Sequence, residues 1–410
     1  MTSAASRTER TGRILALAGL ILTALGLRTA VVAISPIADA IGEDIALGSV
    51  GLGVIGMLAP IAFAAAALLT PAIVRRLGLE RTMIAALVAM AAGHIGRALA
   101  PEFVTLAGGS VLVLVGMGVA NVLLPPIVRR YFPGRIGAVT SLSTTLLAVS
   151  AAVPALVAAP IATAAGWRVA VGIWGSLSLL ALMPWIPLSA RLPREGAALA
   201  QPEPTLLWSM ARSRTAIAIA IIFATTSTAV YSFFAWLPQI LMERTSLDAV
   251  GAGALLSLFG IAGFPVNLLV PLLAARMKSV APLVFVGVAL FVIGYSGLLV
   301  APETATWAWI LLGGFGALLF PLALTLIALR TRTAEGTVAL SGFVQGTGYG
   351  VAAFGPLLVG VLHSVTGDYR SALAVLIALS LPAIGAGFVL RRARFVEDEI
   401  LESKVVDAAP

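Results

Sequence analysis

The sequence predicts an all-α polytopic membrane protein: twelve transmembrane helices in two pseudo-symmetric six-helix bundles. Three observations carry that reading. Sixty per cent of the 410 residues are hydrophobic and 11% charged, with a mean hydropathy of +1.05. A soluble domain carries about 25% charged residues. Apolar runs of helix length recur twelve times, and the first six echo the second six at an offset near 200 residues.

Taken in order, residues 1–13 form a polar, cytoplasmic N-terminal tail with Arg7, Arg10 and Arg13. The first apolar run, Ile14 to Pro36, reaches about 35 Å as a helix, enough to cross a bilayer. An Arg inside it and many later spans mark it as a signal-anchor. Apolar runs at 14–37, 50–73, 82–100, 103–127, 137–163 and 167–188 make an N-terminal bundle over 14–188. The stretch 189–213, with Pro193, Pro202 and Pro204, reads as a cytoplasmic linker. Runs at 214–240, 249–274, 280–300, 304–329, 336–362 and 370–390 make a C-terminal bundle over 214–390. An acidic tail, 391–410, follows.

Placing the N-terminus inside puts 21 of the 26 Lys and Arg in cytoplasmic segments. Arg97, Arg168, Arg244 and Arg370 fall outside, and Arg28 lies in the membrane. The positive-inside rule then predicts a cytoplasmic-membrane protein with both termini in the cytoplasm. Basic charge spread over seven short segments also excludes nucleic acid as a partner. The absence of Cys removes disulfides and thiolate sites, and two His leave little for a metal, so no cofactor or metal is expected. The 18 acidic residues divide into 10 cytoplasmic and 8 external, with none inside a span; Asp39, just beyond Pro36, is nearest. Without a titrating carboxylate, the expected mode is uniport, exchange, or symport in which an anionic solute and Arg28 form the proton site.

Arg28 lies about 12 Å along the helix from Pro36, too deep to reach the headgroups. A guanidinium near the midplane costs about 2.5–3.5 kcal/mol, so it must face a cavity or a partner. It either bonds carbonyls of neighbouring helices or anchors an anionic solute. Aligning Pro36 with Pro238 sets Arg28 opposite Val230 and beside Tyr231, so across the halves the Arg would meet an aromatic hydroxyl. Thr228 and Tyr231 are i, i+3 neighbours near Thr225 and Thr226. Trp236, toward the outer end, suits an interfacial belt by depth. Ser341, Gln345 and Tyr349 share one face of the eleventh span, whose glycines favour close packing. Asn121 adds a polar group in the fourth. Thr144 and Thr145 are expected to bond their own backbone, and His94 and His363 to sit at the rim or in packing positions. The candidate substrate-binding set is Arg28, Asn121, Thr228, Tyr231, Trp236, Gln345 and Tyr349.

Paired features point to parallel six-span repeats around a midplane site. Ala100-Pro101 matches Ala301-Pro302, Trp167-Arg168 matches Tyr369-Arg370, and GMG at 116–118 matches GFG at 314–316. This organisation resembles the major facilitator superfamily. Within it the chain is similar to the family of cyanate and 2-nitroimidazole transporters. That resemblance rests on LRTAVVAISP at 27–36, RRLGLER at 75–81, NVLLPPIVRRYFPGRIG at 121–137 and GWR at 166–168. In the second half it rests on Tyr231, AWLP at 235–238 and QGTGYGVAAFGPLLVGVLH at 345–363. Thr29 replaces the proline usual after the Arg, and RRLGLER lacks the Asp of the superfamily's loop.

The resemblance implies a secondary transporter working by alternating access, not an enzyme, functional as a monomer in the bilayer. With Arg28 as a planar fork, the expected solute is small and anionic or electron-rich: a cyanate-like anion, a carboxylate or a nitroaromatic. The alternatives are a multidrug efflux carrier of the same fold and a non-transporting membrane receptor or scaffold, though the loops are too short to build a docking domain.

Overall fold

The computed structural model of the chain describes residues 2–190 and 209–407; most of the expected linker lies outside them. The first span is α1 (Thr2–Gly26) and α2 (Thr29–Val32), followed by the short α3 (Ala38–Gly42). Then come α4 (Gly48–Leu77), α5 (Leu79–Ala98), α6 (Phe103–Tyr131) and α7 (Ile136–Ala165). The sixth span is α8 (Trp167–Gly172) with α9 (Trp174–Ala190). After the linker run α10 (Arg214–Arg244), α11 (Ala249–Arg276) and α12 (Ala281–Val300). Three broken spans complete the second half: α13 (Thr306–Gly316) with α14 (Leu319–Leu329), α15 (Ala334–Ala352) with α16 (Phe354–Thr366), and α17 (Arg370–Ser380) with α18 (Pro382–Val389).

Eleven of these spans are long and apolar enough to cross a membrane. The twelfth, α5, has 20 residues but carries Glu80, Arg81, His94 and Arg97. It packs along α6 through glycines: a Cβ at Gly116 would stand 2.6 Å from the Ala86 carbonyl oxygen, and one at Gly109 2.8 Å from the Arg97 nitrogen. Backbones this close leave no room for a side chain, which is how small residues hold membrane helices together.

The fold corrects two readings and adds a helix to a third. Glu80 lies inside the first turn of α5, buried, accepting a hydrogen bond from the Tyr131 hydroxyl at 2.7 Å and pairing with Arg130 at 3.6 Å. Arg97 is not in an external loop but fully buried, because α5 continues past it to Ala98. The C-terminal tail carries that helix, α19 (Val396–Asp407).

That helix caps two others. Glu399 accepts hydrogen bonds from the Ser213 hydroxyl (2.6 Å), the Thr215 amide (2.9 Å) and the Thr215 hydroxyl (2.9 Å) at the start of α10. Glu397 takes the amides of Arg332 (2.9 Å) and Thr333 (3.2 Å) before α15. Carboxylates here satisfy orphan helix donors and complement the helix dipole. Glu399→Ala should therefore cost about 1–2 kcal/mol, read as a lower thermal midpoint of the purified protein. An unchanged midpoint would mean that α19 does not hold α10.

Helices α4, α6 and α11 end on basic pairs or single arginines (Arg75–Arg76, Arg129–Arg130, Arg276). They define a basic face; Pro36, Glu102 and Asp248 lie toward the opposite one. The two halves close on each other toward that opposite face. The Ser35 hydroxyl donates to the Ala235 carbonyl at 2.8 Å. A Cβ on Gly53 would stand 3.0 Å from the Pro356 carbonyl oxygen, and one on Gly253 2.6 Å from that of Ala155. At the rim, His363 bridges the Ser49 hydroxyl (2.8 Å) and Glu243 (2.9 Å) while stacked on Tyr369 at 4.1 Å.

Candidate functional site

The first span breaks between α1 and α2, and Arg28 occupies the break with φ −126° and ψ −5°. Thr29 steadies it, donating its hydroxyl to the Gly26 carbonyl at 3.0 Å. Arg28 is half-buried, and its Nη1 donates to the Tyr231 hydroxyl across the halves at 3.1 Å. Its Cζ sits 5.2 Å from the ring centre of Phe63 on α4. Tyr349 on α15 completes the cluster, 6.1 Å from Tyr231 and 6.3 Å from Phe63, both edge to face. A half-buried guanidinium over an aromatic face gains about 1 kcal/mol, which offsets part of its burial. Among the described residues no carboxylate lies within 4.0 Å of Arg28, so its charge has no ion-pair partner there.

Of this cluster, Arg28 and Tyr231 border a chamber of ≈ 120 Å³ between the halves, while Phe63 and Tyr349 stand behind them. Arg28, Tyr231, Ser227, Thr144 and Asn267 supply its polar lining, and Phe234, Phe259 and Phe320 its aromatic wall. Thr144 and Asn267 are exposed and lie in the basic-face halves of α7 and α11, so the chamber opens toward that face. The Ser227 hydroxyl is buried with no protein partner. Sequence reasoning missed Ser227 although it stands one turn before Tyr231, on the same helix face. It also missed Phe63, which sits among alanines with no polar signal, and Asn267.

The structure brings Arg28, Tyr231 and Tyr349 together and places the other candidates elsewhere. Thr228 lines a separate cavity of ≈ 660 Å³ with Thr225, Thr347 and Gly350, which has no charged lining. Trp236 is 1% exposed, its indole donating to the Pro356 carbonyl at 2.8 Å and its ring 5.7 Å from Tyr369. Depth suggested an interfacial belt; instead a buried carbonyl of α16 satisfies the indole N–H. Gln345 bonds Ser341 on its own helix at 2.7 Å. Half-buried Asn121 has no hydrogen bond among the described residues, and neither Gln345 nor Asn121 lines the chamber. Thr144 and Thr145 both bond the Ser141 carbonyl. His94 is fully buried: the Val171 carbonyl, at 3.0 Å from Nδ1, can only accept, so Nδ1 carries the proton.

The fold sets a cationic chamber between two halves of membrane-length helices, and residues 16–312 match the profile of the Major Facilitator Superfamily. The chain belongs to that superfamily. Within it the chain falls with the 2-nitroimidazole and cyanate transporters. It is 32% identical to the 2-nitroimidazole transporter of Escherichia coli (strain K12), over 90% of this chain and 93% of the other. It is 33% identical to the uncharacterized transporter YycB of Bacillus subtilis (strain 168), over 92% and 94%. Among solved structures, a bacterial homologue of the human lysosomal transporter Spinster superposes with a TM-score of 0.74 at 13% identity. That alignment covers 95% of this chain and 98% of the other. The protein is thus a multi-pass membrane transporter of the major facilitator type and not an enzyme.

Proposed function

We propose that this major facilitator carries a small planar solute, an aromatic bearing a carboxylate or nitro group, by alternating access around Arg28. One observation supports this above the rest. The Arg28 fork has the Tyr231 hydroxyl as its one polar protein partner among the described residues, and it borders a chamber walled by aromatic rings. Its remaining N–H groups match a pair of coplanar oxygens, which a guanidinium grips in parallel. The chamber's rings, Phe234, Phe259 and Phe320, accept an aromatic body edge to face or offset. The similar 2-nitroimidazole transporter is named for a solute of this kind.

Closure near Ser35 and opening near Thr144 are one of the two states such a cycle needs. The count of basic residues makes the basic face cytoplasmic, with both termini there, and one chain holds the whole chamber, so the unit of transport is the monomer. Among the described residues no Asp or Glu lines the chamber, which favours uniport or exchange over a carboxylate-coupled proton cycle.

The test is uptake of radiolabelled benzoate, 2-nitroimidazole and cyanate into proteoliposomes of the purified protein, beside a lipophilic cationic dye. Saturable uptake of the planar oxygen-bearing aromatics, with the dye ignored, is the expected result. Transport of the dye alone would replace this reading with drug efflux. Transport of nothing would leave a membrane protein that is not a carrier.

A further inference from the structure

A second buried arginine stands apart from the chamber. Arg97 is 1% exposed, and its Nη1 donates to the carbonyl of Ala30, two residues past Arg28, at 3.1 Å. Its Nε and Nη2 are buried with no protein partner. No carboxylate lies within 4.0 Å of it among the described residues. It borders a cavity of ≈ 20 Å³, on the sealed side of Arg28, that also touches Ser35, Ser110 and Tyr231. Both serine hydroxyls already donate to carbonyls, Ser35 to Ala235 and Ser110 to Leu106, each at 2.8 Å, and the Tyr231 hydroxyl is taken by Arg28. The remaining wall is apolar, including Leu52 and Leu114.

A guanidinium this deep with unmet donors is among the costliest states a protein interior can hold. A space of this size admits one small occupant. A water molecule would satisfy an N–H but leave the charge uncompensated, whereas an anion satisfies both. We infer that Arg97 holds a second, separate site for a small monovalent anion of halide-like size. Tyr231 borders both cavities, so this site lies next to the chamber on the way to the opposite face. The anion is either an ambient halide or the charged head of the transported solute in passage; the chemistry is the same. This inference does not depend on what binds at Arg28.

The experiment uses the full chain, purified in gluconate and melted at fixed ionic strength while bromide replaces gluconate. A ligand of the folded state raises the melting midpoint with the logarithm of its concentration once above its dissociation constant. Arg28→Gln should show this rise as the wild type does, and adding Arg97→Gln to Arg28→Gln should abolish it. Should that double variant fail to fold, Ser110→Val in the same background retains the cation while shrinking the cavity. It should move the rise to about tenfold higher bromide. Cyanate added to the Arg28→Gln protein separates the sources. Competition with bromide identifies a site that the solute's own charge can use, and no competition identifies a halide site. A bromide response that is absent from Arg28→Gln, or unchanged there by both Arg97→Gln and Ser110→Val, would overturn the inference.

Discussion

Replacing Arg28 by Ala should abolish solute binding and leave a folded protein as stable as the wild type or slightly more so. Two hydrogen bonds from a charged donor are worth about 1.5–3 kcal/mol each. Their loss lowers affinity by about 100-fold or more. Stability should hold because no backbone carbonyl depends on this side chain among the described residues; its protein hydrogen bond is to the Tyr231 hydroxyl, which can turn to another partner. The carbonyl-bonded arginine that sequence reasoning weighed for this position exists in the structure, but it is Arg97 on Ala30. Arg28→Lys keeps the charge and loses the planar fork, so it should bind with intermediate affinity. Binding and thermal midpoint must be read on the same purified samples. A folded Arg28→Ala protein with wild-type affinity would remove Arg28 from the site. A loss of about 1–3 kcal/mol in stability, with transport falling only as abundance falls, would make it a structural residue instead.

Gly56→Val should stop transport and leave the opposite face open. A Cβ at Gly56 would stand 2.7 Å from the Ala235 Cβ and 2.8 Å from the Pro356 Cβ. Both contacts cross from one half to the other, so the added bulk strains the closed arrangement and spares a state in which the halves have parted. Overpacking costs about 1–3 kcal/mol, enough to shift a two-state balance by roughly 5- to 150-fold. A single Cys at Ser35, in a chain that has no other, reports the change. An impermeant maleimide should label it from outside in the Gly56→Val background and spare it otherwise. Gly385→Val, where a Cβ meets nothing within 4 Å, is the control and should transport normally. Wild-type transport by Gly56→Val would show that this seam is not the gate, and labelling from the cytoplasmic side would reverse the proposed orientation.

Much of this architecture was legible because the bilayer imposes a local test. A segment either offers about 20 apolar residues or it does not, and eleven of the spans pass it on their own. Span α5 was still legible by its length and its place in the order, although its polar residues dilute the signal. Arg28 announced itself the same way, since a charge in the middle of a span has few tolerable surroundings. Its pairing with Tyr231 followed from the internal repeat, which converts a distance of 203 residues into a matched position.

What the sequence alone determined, then, is every property set by one segment against the solvent around it: the spans, their order, the costly cation and the family motifs. Tertiary structure decided what lies between segments. Thr228 and Tyr231 are three residues apart, yet about 60° around the helix separates them. Because α10 is buried on nearly every side, that angle puts them in different cavities. Arg97 looked like a loop residue until the end of α5 proved to be covered, and Phe63 gave no signal until Arg28 lay across its ring. A helix period tells which residues share a face; which face meets which neighbour depends on contacts between distant segments that no local pattern encodes.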